Sequence, residues 1–266
     1  MHSITTNLSK MATKLEDKIQ NFLAVDNEWL AMNELIGKSI TLEFEGQINC
    51  IVCGKKTKKS FGNGACYSCF VNAPESSPCI INPELCEAHL GKGRDIEWEQ
   101  KHHNQPHIVY LAKSSAIKVG VTRATQVPTR WIDQGASEAI ILVEVPYRRL
   151  AGEIEVQLKN HFTDKTNWQQ MLKNIVAEDD LLQVKEEVLN YYLDPVYHEF
   201  VSDNDEIISL NYPVENYPTK IKSVRLDTVP IIESTLRGIK GQYLYFGSGQ
   251  VFNVRNHSGY LVSLRW

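Results

Sequence analysis

The stretch His107–Ala136, HIVYLAKSSAIKVGVTRATQVPTRWIDQGA, decides the predicted fold of this chain. Two apolar runs, 108–112 and 116–121, flank the polar tripeptide 113–115. This pattern predicts a β-hairpin with a short polar turn. Gly120 interrupts the second run, as glycine does where the backbone must approach a ligand or a helix closely.

The chain after this hairpin adds a helix, a strand and a second helix. The helical segment begins near Arg123, and a third apolar run, AIILVEV, occupies residues 139–145. The second helix is predicted at about 151–162 and carries Glu153 and Glu155. Together with the hairpin, these elements predict a ββαβα unit whose polar residues could form a catalytic site.

The charge of the whole chain is mildly negative, because 32 acidic residues exceed 28 lysines and arginines among 266 residues. A protein-wide basic footprint for nucleic acid is therefore absent, and any such surface must be local. No apolar run approaches the roughly 18–20 residues that span a bilayer. The amino terminus carries no apolar stretch typical of a secretory signal. We therefore expect a soluble cytoplasmic protein of one to three domains.

All six cysteines lie between Cys50 and Cys86. Disulfides are unusual in a reducing compartment, and closely spaced cysteine pairs more often bind metal. Twelve residues separate two Cys-x2-Cys pairs, Cys50/Cys53 and Cys66/Cys69. Four thiolates at this spacing can complete a tetrahedron around Zn²⁺. The pattern predicts a zinc-ribbon-like module with a closed structural site, and thiol redox chemistry or simple burial of the cysteines is the alternative.

A second group of ligand types follows in the sequence Cys79-x6-Cys86-x2-His89. Three such residues within eleven positions favour a second zinc site. His103 is our candidate for the fourth ligand of that site. The alternative is that these are ordinary buried cysteines with a nearby histidine.

The loop between the two cysteine pairs is rich in lysine, and Tyr67 and Phe70 follow it. Lysines on a loop of fixed shape can contact phosphates, and aromatic side chains can stack on bases. The alternative is a solvated charge run that keeps a small domain soluble. The candidate nucleic-acid-binding residues are Lys55, Lys56, Lys58, Lys59 and Arg123.

The remaining chain completes an α+β fold in four predicted segments. Residues 1–37 are predicted to be helical, because apolar side chains recur there at mixed helical spacing. Residues 38–105 hold a strand and the zinc module, 106–212 hold the ββαβα core with an acidic helix, and 213–266 are rich in β-structure. The early strand 39–48 has no partner in its own region. We expect it to complete a small C-terminal β-barrel or sheet.

The central segment resembles the GIY-YIG nuclease fold. Val109-Tyr110-Leu111 stands where the first family motif falls, and Lys118-Val119-Gly120 stands where the second falls. Arg130 and Glu155 match the arginine and the glutamate that the family places on its helices. Asn167 lies near the position of a supporting asparagine. The sequence departs from the family at Lys118, where a second tyrosine is usual.

This resemblance implies a catalytic site for phosphodiester cleavage that uses Mg²⁺ or Mn²⁺. Glu155 would bind the metal, with Glu153 as the rival ligand. Arg130 would hold the phosphate, Lys118 could contact it as a point charge, and Tyr110 would position or deprotonate water. The alternative is structural, with a core tyrosine and an ion pair between Arg130 and Glu155.

Over most of residues 40–260 the chain also resembles a bacterial family that is classified only as a domain of unknown function. The resemblance lies in stretches such as INCIVCGKKTKKSF at 48–61 and GIKGQYLYF at 238–246. It implies that the zinc module, the central unit and the tail belong together. These features predict a zinc-binding protein that acts on DNA or RNA. A non-catalytic nucleic-acid-binding protein and a zinc-stabilised protein-interaction module are the alternatives.

Overall fold

A computed structural model describes residues 2–162 and 167–266 of the chain. The chain divides into two compact units: unit 1 comprises Met1–Val71 and Asn211–Trp266, and unit 2 comprises Asn72–Leu210. The amino-terminal segment, the first cysteine cluster and the carboxy-terminal strands therefore share one unit. The second group of cysteines falls in the same unit as the ββαβα segment.

The described chain is of the α+β class, with most strands in unit 1 and most α-helices in unit 2. The strands are β1 (Ser3–Asn7), β2 (Ala12–Lys14), β3 (Gln20–Val25), β4 (Glu28–Ala31), β5 (Ser39–Asn49), β6 (Lys56–Thr57), β7 (His107–Lys113), β8 (Ile117–Arg123), β9 (Glu138–Val145), β10 (Ile208–Ser209), β11 (Lys222–Val224), β12 (Ile231–Lys240), β13 (Tyr243–Phe246), β14 (Gln250–Asn253) and β15 (Tyr260–Arg265). The α-helices are α1 (Tyr67–Asn72), α2 (Ile96–His103), α3 (Thr129–Asp133), α4 (Arg148–Leu158), α5 (Trp168–Leu172) and α6 (Leu181–Glu187).

The larger sheet of unit 1 is organised around strand β5. Its order in the described chain is β1-β15-β5-β12-β13-β14-β11, with the short β6 paired to β5. β5 pairs antiparallel with β12 on one side and with β15 on the other. Ile40 and Leu42 alternate with exposed or half-buried neighbours and pack in the core of this unit. The prediction that an early strand completes the carboxy-terminal sheet is therefore confirmed.

The predicted helical structure of residues 1–37 is wrong, because this segment forms four short strands. Strands β2, β3 and β4 make a sheet of their own, and β1 joins the larger sheet. In β3 the buried residues Asn21 and Leu23 alternate with half-buried ones, which is the period of a strand. Asp26 takes a positive φ of 50° in the turn between β3 and β4. A continuous helix cannot pass through this tight turn, although the apolar residues around it recur at helix-like spacing.

The sheet of unit 2 has the order β10-β9-β7-β8. From His107 to Leu158 the elements follow the predicted order strand, strand, helix, strand, helix. Tyr110 of β7 lies opposite Gly120 of β8 in the antiparallel register. The predicted mixed α+β class and the ββαβα order are confirmed. The likeness to the GIY-YIG nuclease fold stays a prediction.

Helix α4 lies against the sheet of unit 2 through an apolar stripe. Ala151, Ile154 and Leu158 are fully buried in one cluster with Val109 and Leu111 of β7. Their spacing of three, four and seven residues is that of one helix face. Within residues 2–162 and 167–266, no helix combines the length and the apolarity needed to cross a bilayer.

Candidate metal centres and the site around Tyr110

The first cluster of candidate metal ligands consists of four cysteines, Cys50, Cys53, Cys66 and Cys69. Their sulfur atoms all lie within 4.8 Å of one another. Cys50 directly follows β5, and its carbonyl accepts a 2.8 Å hydrogen bond from the amide of Gly54. Gly54 has a φ of +72°, a left-handed conformation that glycine adopts without strain. The end of a strand and a tight glycine turn therefore bring the first pair to the second.

The backbone around this cluster favours the thiolate form of Cys50. Burial raises the pKa of this thiol, but hydrogen bonds from nearby backbone N–H groups, chiefly that of Cys66, lower it to about 6. The pKa of Cys69 is raised to about 12, first by its hydrogen bond with Cys66 and also by burial. Four sulfur ligands form a soft, anionic set that suits a tetrahedral metal. The cluster could hold a zinc ion and is compatible with a zinc-ribbon-like module.

The surface of this first cysteine module carries lysines and aromatic rings. The lysines of this module that are predicted to contact nucleic acid are all exposed; they are Lys55, Lys56, Lys58 and Lys59. The Nζ atom of Lys59 lies 5.4 Å from the ring centroid of Phe61. That ring contacts Tyr67 and Phe70, with centroids 5.6 and 5.9 Å apart. Tyr67 and Phe70 are 65% and 40% exposed, which leaves much of their surface open to a partner.

The second cluster of candidate ligands lies in unit 2 and is buried throughout. It consists of Cys79, Cys86, Glu99 and His103, whose ligand atoms lie within 4.8 Å of one another. Among the described residues, the predicted ligand His89 is not part of this cluster, and Glu99 takes its place. The His89 ring instead stacks on Tyr147, with centroids 4.5 Å apart and planes 3° apart.

Glu99 is not among the predicted ligands, because that prediction considers only cysteine and histidine. Glu99 and His103 are four residues apart on α2, so they share a helix face, and the Glu99 carboxylate contacts the His103 ring. This i,i+4 spacing in IEWEQKHH was a signal that could have identified the pair. Asp95 begins the helix by accepting a hydrogen bond of 3.0 Å from the amide of Trp98.

Tyr110 is fully buried in unit 2, with its hydroxyl group against Gly120. A Cβ atom built at Gly120 would lie 2.6 Å from the Tyr110 hydroxyl oxygen, so only glycine leaves space for this ring. Burial raises the pKa of Tyr110, while nearby Arg130 and Gln134 act in the opposite direction and Glu155 adds to the rise. Arg130 and Glu155 therefore both lie close enough to Tyr110 to influence its charge.

Several polar atoms around Tyr110 are buried without a hydrogen bond of good geometry among the described residues. They are Tyr110 Oη, Trp131 Nε1 and Gln134 Oε1. The ring centroids of Tyr110 and Trp131 are 5.8 Å apart. Buried polar atoms are nearly always paired, so a group of unpaired ones marks a position where water or a ligand can bind.

The structure distinguishes the two acids of α4. Glu155 is 8% exposed, and its carboxylate lies 3.4 Å from the Lys159 amine. Burial raises the pKa of Glu155, whereas Lys159 and Arg148 lower it. Glu153 is more exposed and accepts a 2.8 Å hydrogen bond from Arg149. Glu155 is therefore the acid that faces the protein interior.

The other predicted site residues occupy different surroundings. Lys118 is 6% exposed and lies opposite Ala112 in the sheet, and Arg130 is half-buried on α3. Arg123 is half-buried at the end of β8, and burial lowers its pKa. Asn167 is exposed, and its side-chain oxygen caps α5 by accepting a 3.2 Å hydrogen bond from Gln170. The supporting role in a catalytic site that the resemblance implies for Asn167 stays a prediction.

A family described as "Protein of unknown function (DUF2797)" matches residues 37–262. No curated protein and no solved structure matches the chain. The matched range contains both ligand clusters and the residues around Tyr110. Because it covers most of the chain, the protein belongs to the DUF2797 family.

Proposed function

We propose that the protein binds nucleic acid through the surface of its first cysteine module, with zinc in the Cys50/Cys53/Cys66/Cys69 site. The observation that carries this proposal is the arrangement of an exposed lysine segment beside exposed aromatic rings. Lys59 lies over Phe61, which in turn contacts Tyr67 and Phe70.

Each part of this surface matches one component of a nucleic acid strand. Lysine ammonium groups attract phosphates and release the counterions that surround them. The exposed faces of Tyr67 and Phe70 can stack on unpaired bases. Because the chain has a formal net charge of −4, this attraction must come from the local segment rather than from the whole protein. Stacking on exposed rings favours single-stranded DNA or RNA over a duplex.

Fluorescence anisotropy with labelled single-stranded and duplex oligonucleotides at several salt concentrations tests this proposal. Binding through four phosphates gives a salt slope of about −0.7 per contact on a single strand. We expect a combined alanine variant of Lys55, Lys56, Lys58 and Lys59 to lose most of that slope. The matched control replaces four other exposed lysines of unit 1, Lys18, Lys38, Lys220 and Lys222.

Two results would overturn the binding proposal. One is equal weakening by the control variant, which would show a general charge effect. The other is absence of salt-dependent binding by the wild-type protein with zinc bound. A zinc-stabilised protein-interaction module would then explain the exposed aromatic rings better.

A second candidate function is cleavage of a phosphodiester bond at the site around Tyr110. Support comes from the electrostatic effect of Arg130 and Glu155 on Tyr110, and from the buried polar atoms around Tyr110 that lack a hydrogen bond of good geometry. The ββαβα order of elements agrees with the resemblance of this segment to GIY-YIG nucleases. This candidate is second because Tyr110 is fully buried, whereas the surface of the first cysteine module is exposed.

Each residue of this site would have a separate role in cleavage that follows from its charge. Glu155 would ligate Mg²⁺ or Mn²⁺, which supplies a polarised, activated water when bound. Arg130 would hold the phosphate and offset its developing charge. Burial raises the pKa of Tyr110, so its hydroxyl stays protonated at neutral pH and serves as a hydrogen-bond donor. Lys118 is buried on the adjacent strand and would add positive charge.

Incubation of labelled DNA and RNA with Mg²⁺ or Mn²⁺ tests for cleavage. Glu155→Gln keeps the size of the side chain and is expected to abolish product formation. Glu153→Gln is the matched control, because Glu153 lies two residues away on α4 and is more exposed. Cleavage that survives Glu155→Gln would overturn this candidate, as would its absence from the metal-supplied wild-type protein.

A further inference from the structure

We propose that Cys79, Cys86, Glu99 and His103 form a second metal site, separate from the Cys50 cluster and selective for Zn²⁺. The four side chains are 7%, 2%, 2% and 2% exposed, and their ligand atoms lie within 4.8 Å of one another. Both cysteines are free thiols, so no disulfide accounts for their approach. Two sulfurs, one nitrogen and one oxygen make a four-ligand set that fits tetrahedral Zn²⁺.

The burial of Glu99 is the feature that a metal explains best. A buried carboxylate is costly unless it is paired or binds a metal. The contact between Glu99 and His103 forms an ion pair if the histidine is protonated. That ion pair does not explain why Cys79 and Cys86 also lie beside these two side chains. With a metal, the carboxylate, the imidazole and both thiolates all face one dication. The site is closed by protein ligands, so its role is structural.

The surroundings of the cluster hold its ligands in place. The Ser77 hydroxyl lies 3.2 Å from Glu99 Oε1 and 3.7 Å from Cys79 Sγ. A Cβ atom at Gly93 would lie 2.4 Å from Cγ of Glu99, so glycine is needed there for the carboxylate to turn inward. Hydrogen bonds to ligating groups and close packing around them are typical of metal sites in proteins.

The segment between the two cysteines of this cluster, residues 79–86, packs against helix α4. Arg148, the first residue of α4, donates hydrogen bonds of 3.0 Å to the carbonyls of Cys79 and Ile80. A Cβ atom at Gly152 would lie 2.2 Å from the backbone nitrogen of Glu84, so the segment between the two cysteines touches the helix backbone. A metal at this site therefore holds residues 79–86 against the helix that carries Glu155.

Metal analysis of the purified full-length protein, loaded with zinc and freed of excess, tests this assignment. We expect about two zinc ions per wild-type chain, one for each four-ligand site. Glu99→Gln and His103→Ala should each lose one. His89→Ala is the matched control, because His89 lies in the same region but outside the cluster, and it should keep both.

Cobalt provides a second measurement for variants that fold poorly. In a protein whose first site is removed by Cys53→Ser and Cys69→Ser, added Co²⁺ should still give the absorption of tetrahedral sulfur ligation. One zinc ion per folded wild-type chain would overturn the proposal, as would a Co²⁺ spectrum without sulfur bands. Loss of zinc from His89→Ala would overturn the ligand assignment.

Hydrogen exchange tests the connection to α4. Stripping the second site should speed amide exchange in residues 79–90 and in the first turns of α4. Unchanged exchange in these segments after metal loss would contradict the proposed structural role. None of these results depends on whether the protein binds nucleic acid.

Discussion

The two ligand clusters of this protein differ in composition and in burial. In the Cys50 cluster only Cys50 is buried, while Cys53 is exposed and the other two are half-buried. In the Cys79 cluster all four side chains are buried, and one of them is a carboxylate. A cluster at the surface can open locally without loss of the fold, whereas a buried one is part of the core of its unit. The comparison therefore predicts different consequences when each is damaged.

Loss of a ligand in the buried cluster should give the largest effect. Cys86→Ser removes one thiolate and leaves the buried Glu99 carboxylate without its full set of partners. Breaking a buried charged arrangement in this way costs about 3–5 kcal/mol. Hydrogen exchange of residues 72–162, measured at increasing urea concentrations, gives the loss of unfolding free energy in unit 2. Cys53→Ser in the exposed cluster should leave those residues unchanged. If amides of unit 2 are equally protected from exchange in the two variants, the predicted difference between the two clusters is wrong.

A smaller effect is expected where the buried cluster meets helix α4. Alanine is normally favoured over glycine in a helix by about 1 kcal/mol. At Gly152 the sign should reverse, because the new methyl group would meet the backbone of Glu84 at 2.2 Å. Such overpacking costs about 1–3 kcal/mol.

Urea unfolding of Gly152→Ala measures this effect, with metal content as a second measurement. Gly247→Ala is the control, because its added Cβ would only touch Ser234 at 3.4 Å. If Gly152→Ala proves as stable as the wild type, the segment 79–86 does not rest on α4 as described.

Acid should weaken unit 2 through His107, which begins β7. Burial lowers the pKa of His107 to about 3, with Arg148 acting in the same direction. Its Nδ1 atom lies 2.7 Å from the Gln105 carbonyl oxygen, which suits donation from this nitrogen, and Nε2 is buried without a partner among the described residues. The folded state therefore binds fewer protons than the unfolded state, so stability is lost as the pH falls below about 6.5.

The size of this loss follows from proton linkage. Between pH 7.5 and 5.5 the contribution of His107 falls by about 1.4 kcal/mol. His107→Gln carries no proton in this range, so its stability should fall by that much less than the wild type does. Urea unfolding at the two pH values, on samples with equal metal content, measures the difference. Identical pH dependence in the two proteins would show that His107 is not the sensitive group.

The contrast between the clusters also explains what the sequence could predict. The Cys50 cluster consists of two Cys-x2-Cys pairs, and their spacing in the sequence is enough to predict a metal site. The hairpin at β7 and β8 and the apolar stripe of α4 are likewise local patterns. Glu99 joins its cluster only because α2 and the segment 79–86 pack together. Its spacing of four residues from His103 distinguishes it from Glu97 and Asp95, but that spacing alone does not place it beside the two cysteines.

The error at the amino terminus has a related cause. Met11, Ile19 and Leu23 are buried as the spacing suggests, but they lie in or beside short strands interrupted by turns. The burial in β3 does alternate, but one of its buried residues is the polar Asn21, so its apolar residues show no period of two in the sequence. The pairing of β1 with β15 then links residues more than 250 positions apart. Such long-range pairing decides the local structure and leaves no local signal.

Substitutions on the exposed face of the Cys50 module should change stability least. Tyr67 is 65% exposed, so Tyr67→Ser is expected to shift the free energy of unfolding by no more than about 0.5 kcal/mol. If this ring stacks on a base, the same change should weaken binding of a single-stranded oligonucleotide by about 1–3 kcal/mol. Tyr67→Phe keeps the ring and should retain binding. A variant that loses stability and affinity together would show that the ring supports the module itself, and the difference between a binding surface and a buried structural cluster would no longer hold.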